Sequence, residues 1–419
     1  MSDIRMWLEK KLLQLNLTNS MDVPEGFTRL SYTEDEARAH HEFRSIAADL
    51  ELSTFTDNAG NQWAVWETDS NAPTVAVGSH LDTVHNGGGY DGVAGVLCGL
   101  AAVKILKDQH FTPQKNIAII CFASEESARF GVSTIGSKAI AGLLDKEEQA
   151  GVTDAEGTTI KDAVNSFGAD WDVIEQAEQT KDALESFIEL HIEQGTRIEN
   201  NNADIGIVRG VACPIRLKVT ANGMANHTGT TPMHARKDAF AAISPLVSFV
   251  EQEAKMVSST KAIPLVATVS TVKLWPNAMN VIPGKVEFGI DIRSVDDASK
   301  HNMVTAITAY SAQIEARTGV EIVIDTLVDN NSVFLAPSIQ EKLRQASQNL
   351  GFKSLLMDSG AGHDVMNMAM KWPSGLIFIP CEKGISHHPN EHARLEDLQK
   401  GTHVIAEYLR KETGEIHGN

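Results

Sequence analysis

The stretch Thr74-Val75-Ala76-Val77-Gly78-Ser79-His80-Leu81-Asp82-Thr83 passes from a short apolar run directly into an imidazole and a carboxylate. Short apolar runs bounded by turn residues are typical of buried strands, so we predict that His80 and Asp82 lie where a strand ends. Asp91-Gly92 follows nine residues after Asp82, and Glu125-Glu126 follows a second apolar run. Imidazole nitrogens and carboxylate oxygens are the ligands that dications prefer at hydrolytic sites. The pattern therefore indicates a divalent-metal site of the kind that hydrolases use.

Further apolar runs have the same form, and each is followed by side chains of ligand type. They are Asn116–Phe122, followed by Glu125-Glu126; Phe187–Leu190, followed by His191; and Leu376–Ile379, followed by His387-His388. Between the first two strands, residues 92–103 are apolar nearly all round, as in a helix covered by other structure. Strands that alternate with helices favour an α/β fold with a largely parallel sheet, and sites form at the carboxyl edge of such sheets. We therefore expect these side chains to converge.

Residues 211–329 have a different pattern, which predicts a small inserted domain. The expected elements are a strand at 215–219, a helix at 236–256, strands at 265–274 and 285–292, a helix at 303–316 and a strand at 320–327. This β-α-β-β-α-β order is that of a ferredoxin-like α+β domain. Residues 1–210 and 330–419 would then form one catalytic domain, which the insertion interrupts. We interpret the acidic, helix-like segment 151–186 as a cover or connector.

Size and composition restrict the class of protein. A chain of 419 residues suits two domains, and its net charge of 36 − 55 = −19 argues against nucleic acid or anionic membranes as partners. The charged N-terminal helix is unlike a signal peptide, and no window resembles a membrane span. The four cysteines form no metal-binding or redox pair, so we expect buried free thiols and a cytoplasmic location.

The residue types suggest roles within the site. Asp82 can hydrogen-bond the far nitrogen of His80 and so orient that ring. We favour Asp91 as a carboxylate that bridges two metals. The alternative is that the glycine run before Asp91 forms a phosphate-binding loop, but this run lacks the Gly-Lys-Ser/Thr ending of such loops. One of Glu125 and Glu126 can bind metal while its neighbour moves a proton between water and leaving group.

Two choices stay open on local chemistry alone. The final imidazole ligand could be His387 or His388. Arg293 could hold a substrate carboxylate through two parallel hydrogen bonds, or it could form an ordinary interdomain salt bridge.

The chain resembles the hydantoinase/carbamoylase branch of the dinuclear metallo-aminopeptidase-like amidohydrolases, which includes N-carbamoyl-L-amino-acid hydrolases and allantoate amidohydrolases. The resemblance extends from near Thr28 to the last helix. It rests on the segments Gly78–Val84, Asp91-Gly92, Glu125–Phe130, Glu189–Gly195, Asn226-His227, Asn280–Gly284 and Ser359–Asp364. It implies an aminopeptidase-like three-layer catalytic domain and an inserted dimerisation domain.

The resemblance also implies residue roles. Five residues would bind two divalent ions per subunit (Zn, Mn, Co or Ni), with Asp91 as the bridge: His80, Asp91, Glu126, His191 and His387. The family's final ligand precedes a glutamate by four positions, and Glu391 stands at that distance from His387. Glu125 would be the general base and acid, His227 of the partner subunit would stabilise the oxyanion, and Asp82 would support His80. The substrate-binding residues would be Gln194, Arg216, Asn280, Arg293 and His363.

The implied protein is a homodimer that hydrolyses the terminal ureido C–N bond of N-carbamoyl-L-amino acids. Allantoate is the first alternative substrate, and dipeptides or a related ureide come next. A hypothesis of another class is a catalytically silent, metal-stabilised dimer that senses a small ureide. Such a sensor would be expected to lack Glu125, which this chain retains.

Overall fold

The structure is a computed structural model that describes residues 2–69 and 71–415. The chain divides into two compact units. The larger unit comprises Met1–Arg209, Phe334–Ser359 and His363–Asn419, and the smaller unit comprises Gly210–Val333 and Gly360–Gly362.

Thirteen strands are formed within the described residues. They are β1 (Ser53–Thr56), β2 (Gln62–Trp66), β3 (Thr74–His80), β4 (Asn116–Phe122), β5 (Ser186–Ile192), β6 (Ile205–Val211), β7 (Ile215–Asn222), β8 (Val266–Trp275), β9 (Lys285–Arg293), β10 (Glu321–Asp329), β11 (Val333–Phe334), β12 (Ser354–Ser359) and β13 (Ser374–Ile379).

Twelve α-helices accompany them in the same part of the chain. They are α1 (Ser2–Leu15), α2 (Glu34–Asp49), α3 (Val93–Asp108), α4 (Ile135–Ala141), α5 (Lys146–Gln149), α6 (Ile160–Phe167), α7 (Arg197–Asn200), α8 (Ala239–Thr260), α9 (Asp297–Thr318), α10 (Pro337–Asn349), α11 (Val365–Met368) and α12 (Leu395–Thr413). Short 3₁₀ helices lie at Trp171–Ala177, Lys181–Ala183, Met233–Ala235 and Glu382–Gly384.

The larger unit is built on a sheet whose order is β1-β2-β4-β3-β5-β13-β6-β11, with β12 also paired to β6. The four central strands, β4, β3, β5 and β13, are parallel to one another. The strands outside them pair antiparallel: β2 with β4, β1 with β2, and β6 with β13. The prediction of an α/β fold is therefore confirmed, and the four strands expected from the apolar runs form the parallel centre of the sheet. The antiparallel strands lie at its edges.

Register brings the ends of the parallel strands together. His80 lies opposite Phe122 in the pairing of β3 with β4, and Phe378 lies opposite His191 in the pairing of β13 with β5. Side chains that leave these strands at their carboxyl ends therefore emerge at one edge of the sheet, as expected for open α/β sheets.

Helix α3 packs against this sheet and is buried on nearly all sides, as its apolar sequence predicts. Its close approach depends on Gly95, where a Cβ atom would lie 2.2 Å from the carbonyl oxygen of Leu190. The segment 151–186 contains α6 and two of the 3₁₀ helices. Trp171 and Ile174 of this segment are buried in a cluster with Phe130 and Ile135, so the segment covers part of the larger unit.

The smaller unit holds β7, α8, β8, β9, α9 and β10 in chain order, which is the β-α-β-β-α-β sequence. Its sheet order is β10-β7-β9-β8, and the adjacent pairs are antiparallel. Residues of α8 and α9 share one apolar core with these strands, including Leu246 and Ile307. The expected role of this unit in dimerisation stays a prediction.

None of the helices in the described part of the chain is both long enough and apolar enough to cross a lipid bilayer.

Candidate metal centre

Imidazoles and carboxylates from four strand ends and one loop meet at the carboxyl edge of the larger unit's sheet. His80 is the last residue of β3, and His191 is the last but one of β5. Glu126 lies in the turn that follows β4, and His387 lies in the loop that follows β13. Asp91 precedes α3. The convergence expected from the sequence is present.

Asp91 is at the centre of this cluster. Its Oδ1 atom lies 3.4 Å from Nε2 of His80 and 3.0 Å from Nε2 of His191. Its Oδ2 atom lies 3.3 Å from Nε2 of His387, and that same nitrogen is 3.3 Å from Oε1 of Glu126. The two carboxylate oxygens therefore face two separate groups of donors, as a bridging carboxylate requires.

These contacts mark two candidate cation positions. We call His80, Asp91 and His191 the inner position, and Asp91, Glu126 and His387 the outer position; in each group the donor atoms lie within 4.8 Å of one another. The inner donors are all buried, whereas the side chain of His387 is 48% exposed. His388 is exposed, and its Nδ1 accepts the backbone N–H of Asn390. The structure thus brings His387 and not His388 into the cluster.

The orientation of the two buried imidazoles fits a cation. Nδ1 of His80 lies 3.1 Å from the carbonyl oxygen of Asp82, and Nδ1 of His191 lies 2.9 Å from that of Ile192. A carbonyl only accepts hydrogen bonds, so Nδ1 carries the proton in both rings. Nε2 of each ring then turns its lone pair toward the carboxylate of Asp91 unless a second proton is present. A cation between these donors would remove that repulsion.

Electrostatics in the metal-free chain lead to the same conclusion. Burial, opposed by His80 and reinforced by the nearby charges of Glu126 and Asp364, raises the pKa of Glu125 well above its ordinary value. Hydrogen bonds to Asp91 and Glu126 raise the pKa of His387 to about 11. Positive charge is therefore favoured beside Asp91 and Glu126, where a cation would also be held. These nitrogen and oxygen donors suit Zn, Mn, Co or Ni alike.

Backbone conformation also shapes the site. Gly92 has a φ of +65°, and a Cβ atom there would lie 2.5 Å from Cε1 and Nε2 of His80. Glycine is required at this position both by the left-handed backbone and by the imidazole. His387 itself has a φ of +56°, which is uncommon for a residue with a side chain.

The turn that carries the two adjacent glutamates is held by buried carboxylates. Asp82 accepts the backbone N–H of Glu125 at 3.1 Å on Oδ1 and that of Glu126 at 2.9 Å on Oδ2. Its Oδ1 also lies 3.3 Å from Nδ1 of His80, as the sequence suggested. Glu36, which sequence reasoning missed, accepts the backbone N–H of Ser124 at 3.0 Å. Three successive N–H groups are thus fixed from outside the turn.

Gln194 lies beside the outer position. Its Nε2 donates to Oδ2 of Asp91 at 2.8 Å and to Oγ of Ser386 at 3.1 Å. Its Oε1 is buried and has no hydrogen-bond partner among the described residues. This unpaired acceptor beside the cluster is suited to a substrate N–H group.

His363, expected to bind substrate, is buried in the larger unit. Its ring packs against that of His191 with centroids 4.6 Å apart, and its Nε2 lies 3.0 Å from Oγ of Ser359. Burial and the charge of His191 hold the pKa of His363 well below its ordinary value. The neutral ring of His363 therefore packs against the ring of His191 and supports its orientation.

The remaining expected residues belong to the smaller unit. Nδ1 of His227 accepts the backbone N–H of Gly229 at 3.0 Å, so the proton of this exposed ring is on Nε2. Asn280 is exposed, and its backbone carbonyl oxygen accepts the backbone N–H of Thr228.

Arg293 and Arg216 share one partner in that unit. Nε of Arg293 donates to Oδ1 of Asp291 at 2.8 Å, and Nε of Arg216 donates to Oδ2 at 3.0 Å. The two guanidinium groups and one carboxylate together carry one net positive charge.

Known proteins with similar sequences and structures give the context. Residues 76–411 match Peptidase family M20/M25/M40. The chain is 34% identical to an N-carbamoyl-L-amino-acid amidohydrolase of Paenarthrobacter aurescens over 96% of this chain and 97% of the relative. It is also 34% identical to the allantoate amidohydrolase of Escherichia coli K12, over 92% of each chain. A hydantoinase/carbamoylase family amidase from Burkholderia ambifaria has a similar crystal structure, with a TM-score of 0.87, 31% identity, and coverage of 99% of this chain and 98% of that chain.

Proposed function

Because the chain belongs to Peptidase family M20/M25/M40, we propose that it binds two divalent cations and hydrolyses the terminal ureido C–N bond of an N-carbamoyl-L-amino acid. The observation that carries this proposal is the position of Asp91, whose two oxygens face two different sets of donors. The relatives named for carbamoyl amino acids and for allantoate support a ureide as the substrate class.

The ligand set of the proposed enzyme is that of the inner and outer positions. His80 and His191 would hold the inner cation, Glu126 and His387 would hold the outer one, and Asp91 would bind both. Cations bound there would lower the pKa of a water molecule and polarise the ureido carbonyl group.

Glu125 moves the proton in this proposal. It belongs to neither group of donors, although its Oε2 is 3.8 Å from Nε2 of His80. It would therefore lie beside a bound cation without being one of its ligands. It accepts a proton from the attacking water and then donates it to the leaving nitrogen of the amino acid. The carbamate that is released decomposes to carbon dioxide and ammonia, so one water converts the substrate to the free L-amino acid and these two products.

Other residues bind the substrate in this proposal. Gln194 offers the unpaired Oε1 atom described above to a ureido N–H group. His227 of a second copy of the chain would donate Nε2–H to the developing oxyanion, and one such donor contributes about 3 kcal/mol. Arg293, with Arg216, would hold the substrate carboxylate, and Asn280 and His363 would complete the pocket. The roles of the residues in the smaller unit, and the homodimer, rest on the sequence resemblance.

Allantoate is the second candidate substrate, because the Escherichia coli relative matches at the same identity as the carbamoylase. Both compounds carry a terminal ureido group and a carboxylate. A dipeptide, which lacks the ureido group, is the third candidate.

A substrate panel tests the proposal. Chain stripped of metal and reloaded with Zn²⁺, Mn²⁺, Co²⁺ or Ni²⁺ would be mixed with N-carbamoyl-L-amino acids, their D enantiomers, allantoate, ureidoglycolate and dipeptides. Release of ammonia and of the free L-amino acid, with the highest kcat/KM on a carbamoyl substrate, is expected. A higher kcat/KM on allantoate would favour the second candidate. No hydrolysis of any ureide by the loaded protein would overturn the proposal and favour a sensor.

A further inference from the structure

Glu391 is a buried acid next to the cluster for which the proposed chemistry has no use. The residue is only 4% exposed. Its Oε1 atom accepts the backbone N–H groups of Tyr90 at 3.0 Å and of Asp91 at 2.9 Å. One oxygen of this side chain therefore fixes the backbone from which the central carboxylate extends.

The other oxygen of Glu391 contacts the loop that carries His387. Oε2 accepts the backbone N–H of His387 at 3.3 Å and lies 3.2 Å from Oγ of Ser386. That hydroxyl is also 3.0 Å from Oδ2 of Asp91. Since a hydroxyl has one proton, it donates to one of these two carboxylates at a time.

The backbone at His387 needs such support. Its φ of +56° is in the left-handed region, which residues with a side chain rarely adopt unless the surroundings hold them there. The bond from its N–H to Glu391 is a direct restraint on this conformation. The inner position is different, because His80 and His191 are on strands and are oriented by backbone carbonyl oxygens.

We infer that Glu391 is a positioning residue for the outer cation position, because it ties the loop of Asp91 to the loop of His387. This inference rests on the proposed function in one respect, namely that the site holds two cations. Loss of Glu391 would weaken the outer position more than the inner one, because the backbones of both Asp91 and His387 are held by Glu391. In the inner position only Asp91 depends on it. Substitution of a residue that orients a metal ligand through a hydrogen bond commonly weakens metal affinity by about 10- to 100-fold.

Gly88 gives a second way to disturb the same contact. A Cβ atom at Gly88 would lie 2.3 Å from Cβ, Cδ and Oε1 of Glu391. The backbone of Gly88 is outside the left-handed region, so alanine is compatible with its conformation. The change Gly88→Ala would therefore displace Glu391 from its partners while all the acids of the site remain.

The experiment counts bound cations and does not depend on turnover. Full-length protein would be stripped with a chelator and dialysed against buffered Zn²⁺, and bound zinc would be measured by mass spectrometry over a range of free Zn²⁺. The unsubstituted chain is expected to bind two ions. Glu391→Ala and Gly88→Ala are expected to bind the second ion about 10- to 100-fold more weakly and to weaken the first ion by much less.

Two further variants separate positioning from general stability. Glu391→Gln keeps an oxygen for the N–H groups of Tyr90 and Asp91 but turns an amide toward the N–H of His387, so an intermediate affinity is expected. Asp204→Asn is the matched control. Asp204 also ties two segments of the larger unit, accepting from the Lys353 N–H and from Nζ of Lys400, both at 2.8 Å. The Asp204→Asn variant should bind both ions with normal affinity.

The outcomes are distinct. The positioning role would be overturned if Glu391→Ala bound two ions with unchanged affinity. If Glu391→Ala does not fold, unchanged affinity for both ions in Glu391→Gln and Gly88→Ala would overturn it. Equal weakening in Asp204→Asn would overturn it as well, because the effect would then be one of stability. Fewer than two ions in the unsubstituted chain would contradict the proposed dinuclear site instead.

Discussion

Oδ2 of Asp82 accepts the backbone N–H of Glu126 at 2.9 Å, although the two residues leave different strands of the sheet. The same carboxylate holds the N–H of Glu125 through its other oxygen. A residue two positions after β3 thus holds the backbone of both the proposed proton carrier and a proposed ligand that follow β4. Its importance lies in these backbone contacts as much as in its contact with His80.

The change Asp82→Asn should therefore lower kcat more than it changes KM. Asparagine has one carbonyl oxygen and one NH₂ group in place of two acceptors, so one of the two N–H groups loses its partner. A fall in kcat of about 10- to 100-fold is expected from steady-state kinetics. Unchanged kcat in a folded variant would contradict this role, and Asp204→Asn is the control.

The change Glu125→Gln should abolish most turnover and leave cation binding intact. Glutamine cannot accept a proton from water, and general acid–base groups contribute about 10²- to 10⁴-fold to rate. Because Glu125 is in neither group of donors, two zinc ions should still bind. Glu126→Gln is the matched comparison and should lose the outer ion. Turnover by Glu125→Gln at the normal rate would show that another group moves the proton.

Cation binding should release protons. The pKa of His387 is about 11 in the metal-free chain, so the imidazole is protonated between pH 7 and 9 and must lose its proton to become a ligand. Affinity for the outer cation should therefore rise about tenfold per pH unit over this range. Calorimetry in two buffers of different ionisation enthalpy would measure the release, which should be at least one proton per chain. His387→Gln should lower it and His388→Gln should not; binding without proton release would contradict the expectation.

The cysteine thiols should be unreactive in the folded protein. All four are buried and free, and burial raises the pKa of Cys98 and of Cys381 to about 12. The thiolate is the reactive form, so a disulfide reagent at pH 8 should label none of them rapidly. All four should react after denaturation. As a control, Ser53→Cys places a thiol at an exposed position, and this thiol should react at once. Rapid labelling of the unsubstituted native chain would contradict the prediction.

The part of the site that could be predicted from sequence is the part in which each residue's own chemistry is visible. His80, His191 and the adjacent glutamates follow buried apolar runs, and the parallel register of those runs brings them together. Local chemistry could not choose between His387 and His388, and the resemblance chose His387 through its spacing from Glu391. In the structure, Nε2 of His387 lies beside Asp91 and Glu126.

Supporting residues were hidden by their local patterns. Glu36 has the spacing of a helix-capping residue, since its N–H donates to Oγ1 of Thr33. One oxygen of its carboxylate accepts the N–H of Tyr32, next to the start of the helix, and the other reaches Ser124, which is far away in sequence. Glu391 was visible in the sequence only through its spacing from His387. Contacts of this kind depend on which loops become neighbours, and periodicity carries no information about that.

The edges of the sheet were hidden as well. β1, β11 and β12 are short and are exposed or only partly buried along most of their length, so they lack the apolar runs that identify the central strands. β6 pairs antiparallel with β13, and it was not identified as a strand from the sequence. The pairing partner of a strand is decided by the fold and not by its own residues.

The most direct measurement of the central claim is an anomalous difference map at the zinc edge, from crystals equilibrated with Zn²⁺. Two peaks about 3.5 to 4 Å apart are expected, both in contact with Asp91. One should contact Nε2 of His80 and His191, and the other should contact Glu126 and His387. No peak, a single peak, or peaks away from Asp91 at saturating Zn²⁺ would contradict the account.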